Sequence, residues 1–246
     1  MPAHGDTTMA TLPLGTFRRL AGLACLVALL SGCEKSIEDA VAEHRPQVET
    51  VFGQLRALSD AAAAAPVVTE DRFDLGDARV RLDGDDANPS NALFVFANDL
   101  EAPENATDEG NGGTHVSAIV TCGEALRGEF YGSGKGADVF LGECGRAEYA
   151  FVLRTNEEVA ALVDGTDSFT PGLYDGDVLL FRLSDGALLG GFNVRAESSD
   201  EVQVLVDGDG NPIDPTERLN SDISSKVFVA IQDKLRTLVP GAVDAN

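Results

Sequence analysis

Hydrophobic positions along the chain change their spacing several times. Residues 20–30 (LAGLACLVALL) form an unbroken apolar run. From 36 to 64 the spacing becomes helical: Ile37, Val41, Val48, Val51, Phe52, Leu55 and Leu58 fall on one side of a 3.6-residue period. Ser36 and Asp39 have the spacing of a capping box, and Pro66 stops the helix after the alanine run at 61–65. Beyond Pro66 the apolar runs shorten, predicting strands at 80–82, 92–97, 115–121, 139–141, 148–153, 177–182, 188–194 and 202–206. Asp185-Gly186 predicts a hairpin between two of them. Thr155 and Glu158 predict the cap of a short helix, with Val159, Leu162 and Val163 facing inward and Gly165 ending it. The last helix starts at the Asp214 cap, with Pro215 in its first position and Glu217 completing the box. Its apolar face is Leu219, Ile223, Val227, Ile231, Leu235 and Leu238, and Pro240-Gly241 ends it.

The expected architecture is α+β: a mostly antiparallel sheet with a long helix at each end of the chain that follows the apolar leader, and one short internal helix. The expected divisions are a leader at 1–32, an anchor and helix at 33–65, and an α+β domain at 66–246. The leader has a processing signal's order. Arg18 and Arg19 precede the apolar core, which at 11 residues is too short for the roughly 20 that a membrane span needs. Leu30-Ser31-Gly32-Cys33 follows directly. This tetrapeptide resembles the lipobox of bacterial lipoprotein precursors, and the resemblance covers about the first 35 residues. It implies cleavage before Cys33, acylation of the Cys33 thiol with fatty chains such as palmitate, and export. Glu34, rather than aspartate, resembles the default for the outer membrane, facing the periplasm, in a diderm cell. Phe17 and Leu20-Ala21-Gly22 depart from a twin-arginine signal, which favours the general secretory route. Two or three acyl chains on one residue make attachment effectively permanent, whereas one binds only marginally.

With Cys25 removed and Cys33 acylated, Cys122 and Cys144 remain, an even pair in an oxidising compartment. The expected disulfide would close a glycine-rich loop, a contribution of about 3 kcal/mol on the chain-entropy model. The strand-like residues beside the cysteines place them on neighbouring strands.

Charge narrows the partners. The full chain carries a formal −23, and loss of Asp6, Arg18 and Arg19 with the leader makes the remainder more acidic by one charge. Nucleic acid is excluded as an expected partner, because binding it requires basic groups that displace counterions. Anionic lipid surfaces repel the chain as well, so the anchor supplies membrane attachment by itself.

Candidate chemistry is sparse. Three histidines are present, His4 within the leader. His44 is expected on the solvated side of the first helix, and His115 at the start of a strand. Gly132-Ser133-Gly134-Lys135-Gly136 lacks the glycine and the Ser/Thr that a phosphate loop needs, and reads as a turn. Asp207, Asp209 and Asn211 alternate as in the opening of a calcium loop, but Pro212 replaces its glycine and Arg218 its bidentate glutamate. Calcium at these three residues is carried as the one cofactor expectation. Asp83, Asp85 and Asp86 form a weaker cluster of the same kind. Six per cent aromatics and no Trp disfavour a stacking platform. The function expected is a lipid-anchored envelope protein with a non-catalytic binding or structural domain. The alternative is a hydrolase using a carboxylate or calcium-assisted site in the acidic loops.

Overall fold

Ser36 sets the first helix. Its hydroxyl accepts from the N–H of Asp39 (3.1 Å), and the Asp39 carboxylate accepts from the N–H of Ser36 (3.4 Å). Two backbone donors orphaned at a helix start are thereby satisfied. The structure, a computed structural model, describes residues 35–82, 89–107, 117–164, 168–199 and 216–240. Ser36–Asn246 form one unit; Met1–Lys35 form another, of which Lys35 alone is described. Helix α1 spans Ile37–Ala57 and α2 Ser59–Ala64. Pro46 lies inside α1, where the missing N–H and the ring cost about 3 kcal/mol. Burial of Ala40, Val48, Val51, Phe52 and Leu55 on one face offsets that cost.

The centre is a five-stranded, mostly antiparallel sheet. Its strands are β1 (Arg72–Phe73), β2 (Ala92–Phe96), β3 (Tyr149–Val159), β6 (Leu173–Arg182) and β7 (Leu188–Glu197), in the order β1-β7-β6-β3-β2. Strands β4 (Leu162–Asp164) and β5 (Ser168–Thr170) pair separately. The β6–β7 hairpin turns at Asp185-Gly186, as its sequence predicts, with Gly186 at φ +67°. Only β2 and β3 run parallel among the paired strands described. A parallel pair needs a long crossover, usually helical, and here α3 (Ser117–Arg127) and α4 (Gly134–Gly145) supply it.

That crossover corrects two expected strands. The segment at 117–121 belongs to α3, where Ile119, Cys122 and Ala125 are buried at a spacing of three. The segment at 139–141 belongs to α4, where Ala137, Leu141 and Cys144 are buried at helical spacing and Val139 points out. Local β-branched content suggests strands; the return path to a parallel neighbour requires helices. The predicted helix from Thr155 is likewise corrected. Residues through Val159 continue β3, because β6 offers a partner strand from Leu173 to Asp177. Val159 and Leu162 are exposed rather than inward. Val80-Arg81-Leu82 forms no strand; the side-chain oxygen of Asn91 accepts from the N–H of Arg81 (2.8 Å) in place of a neighbouring strand. The short β1 was not anticipated, and 202–206 lies outside the described residues.

Helices cover both sheet faces. Alternation puts Val152, Arg154, Asp177, Leu179 and Asn193 on one face and Leu153, Val178 and Phe192 on the other. The first face meets α2, whose Ala62 carbonyl accepts from Arg154. The second meets α5 (Thr216–Leu238), whose Lys234 ammonium sits 5.8 Å from the Phe192 ring centre. Leu219, Ile223, Val227, Ile231 and Leu235 form the buried stripe of α5. Burial on both faces accounts for the unbroken apolar runs in β2, β3 and β6. Beyond Leu153, β3 outruns β2. From Arg154 to Val159 its described strand neighbour is β6 alone, with a bulge between Thr155 and Glu157 and exposed side chains from Thr155 onward.

Candidate functional site

Helices α1 and α4 approach closely because α4 presents glycines to α1. A Cβ on Gly145 would lie 2.9 Å from Cβ of Gln47. One on Gly142 would meet the His44 ring at 3.5 Å and the Arg146 guanidinium at 2.8 Å. The missing side chains leave room for His44 to reach across, and its Nε2 bonds Asp138 Oδ1 of α4 at 2.8 Å. His44 is therefore not the solvated surface residue its sequence context predicts: its side chain is 20% exposed and that of Asp138 37%. Glu43, more exposed, completes a trio whose ligand atoms all lie within 4.8 Å of one another. Next to Gly142, burial raises the Glu143 carboxyl above the usual carboxylate range, with Arg146 pulling the other way.

The far side of α4 is fixed covalently. Cys122 and Cys144 form the expected disulfide, with Cα atoms 6.7 Å apart and both residues buried. It joins helices α3 and α4, not neighbouring strands. The glycine-rich run at 132–136 is the N-terminus of α4, where the Ser133 hydroxyl accepts from the N–H of Gly136 (3.1 Å). Cys33, His115, Asp207, Asp209 and Asn211 lie outside the described residues, as does the acidic cluster at Asp83, Asp85 and Asp86.

A second polar constellation crosses the sheet. Arg154, Asp177 and Asn193 occupy facing positions on β3, β6 and β7. The Asp177 side chain is fully buried and that of Arg154 is 14% exposed; they pair at 2.7 Å. Arg154 also donates to the carbonyls of Ala62 (2.9 Å), Ala65 (2.6 Å) and Pro66 (3.1 Å), tying the end of α2 to the sheet. Asn193 Nδ2 donates to Asp177 Oδ1 at 3.3 Å, and the Asn193 carbonyl accepts from Lys234 of α5 at 2.7 Å. Further along β6, where Tyr174 pairs with Glu158, burial pushes the Tyr174 hydroxyl up to about 12. This row joins two helical layers through the sheet; Arg154 and Asp177 are bonded within the fold, and only the buried Arg154 Nε lacks a partner among the described residues.

A cleft of about 580 Å³ lies where β1 meets the loop at 74–78, lined by Asp74, Asp77, Tyr149, Arg182 and Leu188. Its one lining arginine pairs with Asp185 at 3.0 Å. Among the described residues no helix is long and apolar enough to cross a membrane. No protein-family model matches the chain, and no curated protein matches it in sequence.

Sequence reasoning missed Asp138, which is 94 residues from His44 and has no local pattern to announce it. It also missed the Arg154–Asp177 pair. A signal was present there: each charge abuts an apolar strand run, Ala150–Leu153 and Val178–Phe181.

Proposed function

We propose that this chain is a lipid-anchored envelope protein whose folded unit serves a non-catalytic binding or structural role. The observation that carries the reading is Leu30-Ser31-Gly32-Cys33 directly after an apolar core of 11 residues. The Cys122–Cys144 bridge supports it, since such bridges persist in oxidising compartments. So does the state of the two remaining thiols, which are joined to each other and so withdrawn from nucleophilic chemistry. The membrane is reached through the acylated Cys33, and in a diderm cell the destination is the outer membrane, facing the periplasm. Because α1 starts at Ile37, the folded unit would stand close to the lipid surface. The test is metabolic labelling with a palmitate analogue in a native host. Wild type is expected to carry the label and Cys33→Ala to lose it; equal labelling of both would overturn the anchor.

A further inference from the structure

We infer that Glu43, His44 and Asp138 form a site for a divalent transition metal of the zinc class, bridging α1 and α4. The donors are one imidazole nitrogen and two carboxylates, a mixed set that suits zinc and its neighbours better than calcium or magnesium, which take oxygen alone. Zinc bonds to such donors are about 2.0–2.2 Å long, so two donors of one ion can stand at most about 4.4 Å apart. The trio lies within 4.8 Å throughout, and His44 Nε2 and Asp138 Oδ1 are already at 2.8 Å. Rotation of the half-exposed carboxylates closes the remaining gap without moving a helix.

Three features favour a site over a simple ion pair. The donors come from two helices that touch through glycine, so their spacing is set by backbone packing. The disulfide holds α4 from its other side. Partial exposure leaves the remaining coordination position to water, which a fully buried pair would not. Metal binding at Nε2 takes the place of the hydrogen bond to Asp138, with the N–H of the neutral imidazole carried on Nδ1. The Arg146 guanidinium reaches the same face at Gly142. Its charge opposes a cation, so affinity on the order of micromolar is expected rather than that of a closed four-ligand centre.

Cobalt reports the coordination directly. The chelator-stripped full chain is titrated with Co²⁺, following its visible absorption, and then with Zn²⁺, following both displacement of cobalt and Tm. One equivalent of low-symmetry cobalt, displaced by zinc, and a saturable rise in Tm are expected. Calcium and magnesium at the same concentration should leave the cobalt spectrum unchanged. Asp138→Asn and His44→Gln should each weaken binding at least tenfold; Glu43→Gln, on the exposed side, should weaken it less and keep the fold if His44→Gln does not. Absence of binding at 100-fold above micromolar metal would overturn the site. So would equal binding by Asp138→Asn and wild type, which would mean loose adsorption to an acidic surface, or displacement of the cobalt by calcium as readily as by zinc.

Discussion

In the helical layer, α4 is held on one side by a covalent bond to α3 and on the other by close contact with α1 through Gly142 and Gly145. In the sheet, Arg154, Asp177 and Asn193 hold α2 and α5 to the strands through charges and amides placed in the interior. The first region loses contacts or loop constraint when a residue is changed. The second is left with a largely buried charge that has lost its counter-ion and keeps only backbone carbonyls as partners. Similar numbers of atoms can thus carry different penalties, and the sign of each follows from what remains behind.

Asp177→Ala should expose that difference most. The Arg154 guanidinium stays in place with its carboxylate gone, and a cost of about 3–5 kcal/mol is expected from urea unfolding. Replacing both partners with apolar residues of similar volume should recover most of it. A single-variant loss below about 1 kcal/mol would mean that water reaches the pair.

The helical layer should respond less and more locally. Cys122→Ser and Cys144→Ser remove the same bond, so each should cost about 2–4 kcal/mol and the double variant no more. Hydrogen exchange should rise first within residues 123–143. If protection there is unchanged, glycine-mediated packing rather than the bridge is what orders α4.

Two glycines give the smallest and sharpest contrast. Gly145→Ala meets Cβ of Gln47, next to backbone that cannot swing aside, and should destabilise by about 1–2 kcal/mol despite alanine's better helix propensity. Gly53→Ala, also in a helix, meets nothing within 4 Å and should stabilise by about 0.5–1 kcal/mol. Thermal melts of the two should move in opposite directions. Movement in the same direction would show that α1 and α4 are free to separate.

The elements legible in the sequence are those whose period and surroundings agree. Helix α1 has a reciprocal cap and an apolar stripe, and β6 and β7 are joined by Asp-Gly. Where the two disagree, the local reading fails. Ile119-Val120 and Val139-Phe140 favour strands by residue type, yet they lie on the return path between two parallel strands. Thr155 and Glu158 have cap spacing, yet β6 offers ten residues of partner backbone. The disulfide was legible from cysteine number and expected compartment, while its placement on helices was not. The trio of Glu43, His44 and Asp138 was not legible, because helix packing rather than sequence proximity brings it together.

The overhanging end of β3 bears on how copies of this protein tolerate crowding. A strand edge with open amides and carbonyls is a template for adding another chain, and flat apolar edges seed fibrils. Here the bulge at Thr155–Glu157 breaks the flatness, and Glu157 and Glu158 are exposed beside it. A second copy approaching edge to edge would bring like charges together before hydrogen bonds could form. Crowded molecules would then slide past one another as colloidal particles do, instead of zipping into a growing ribbon.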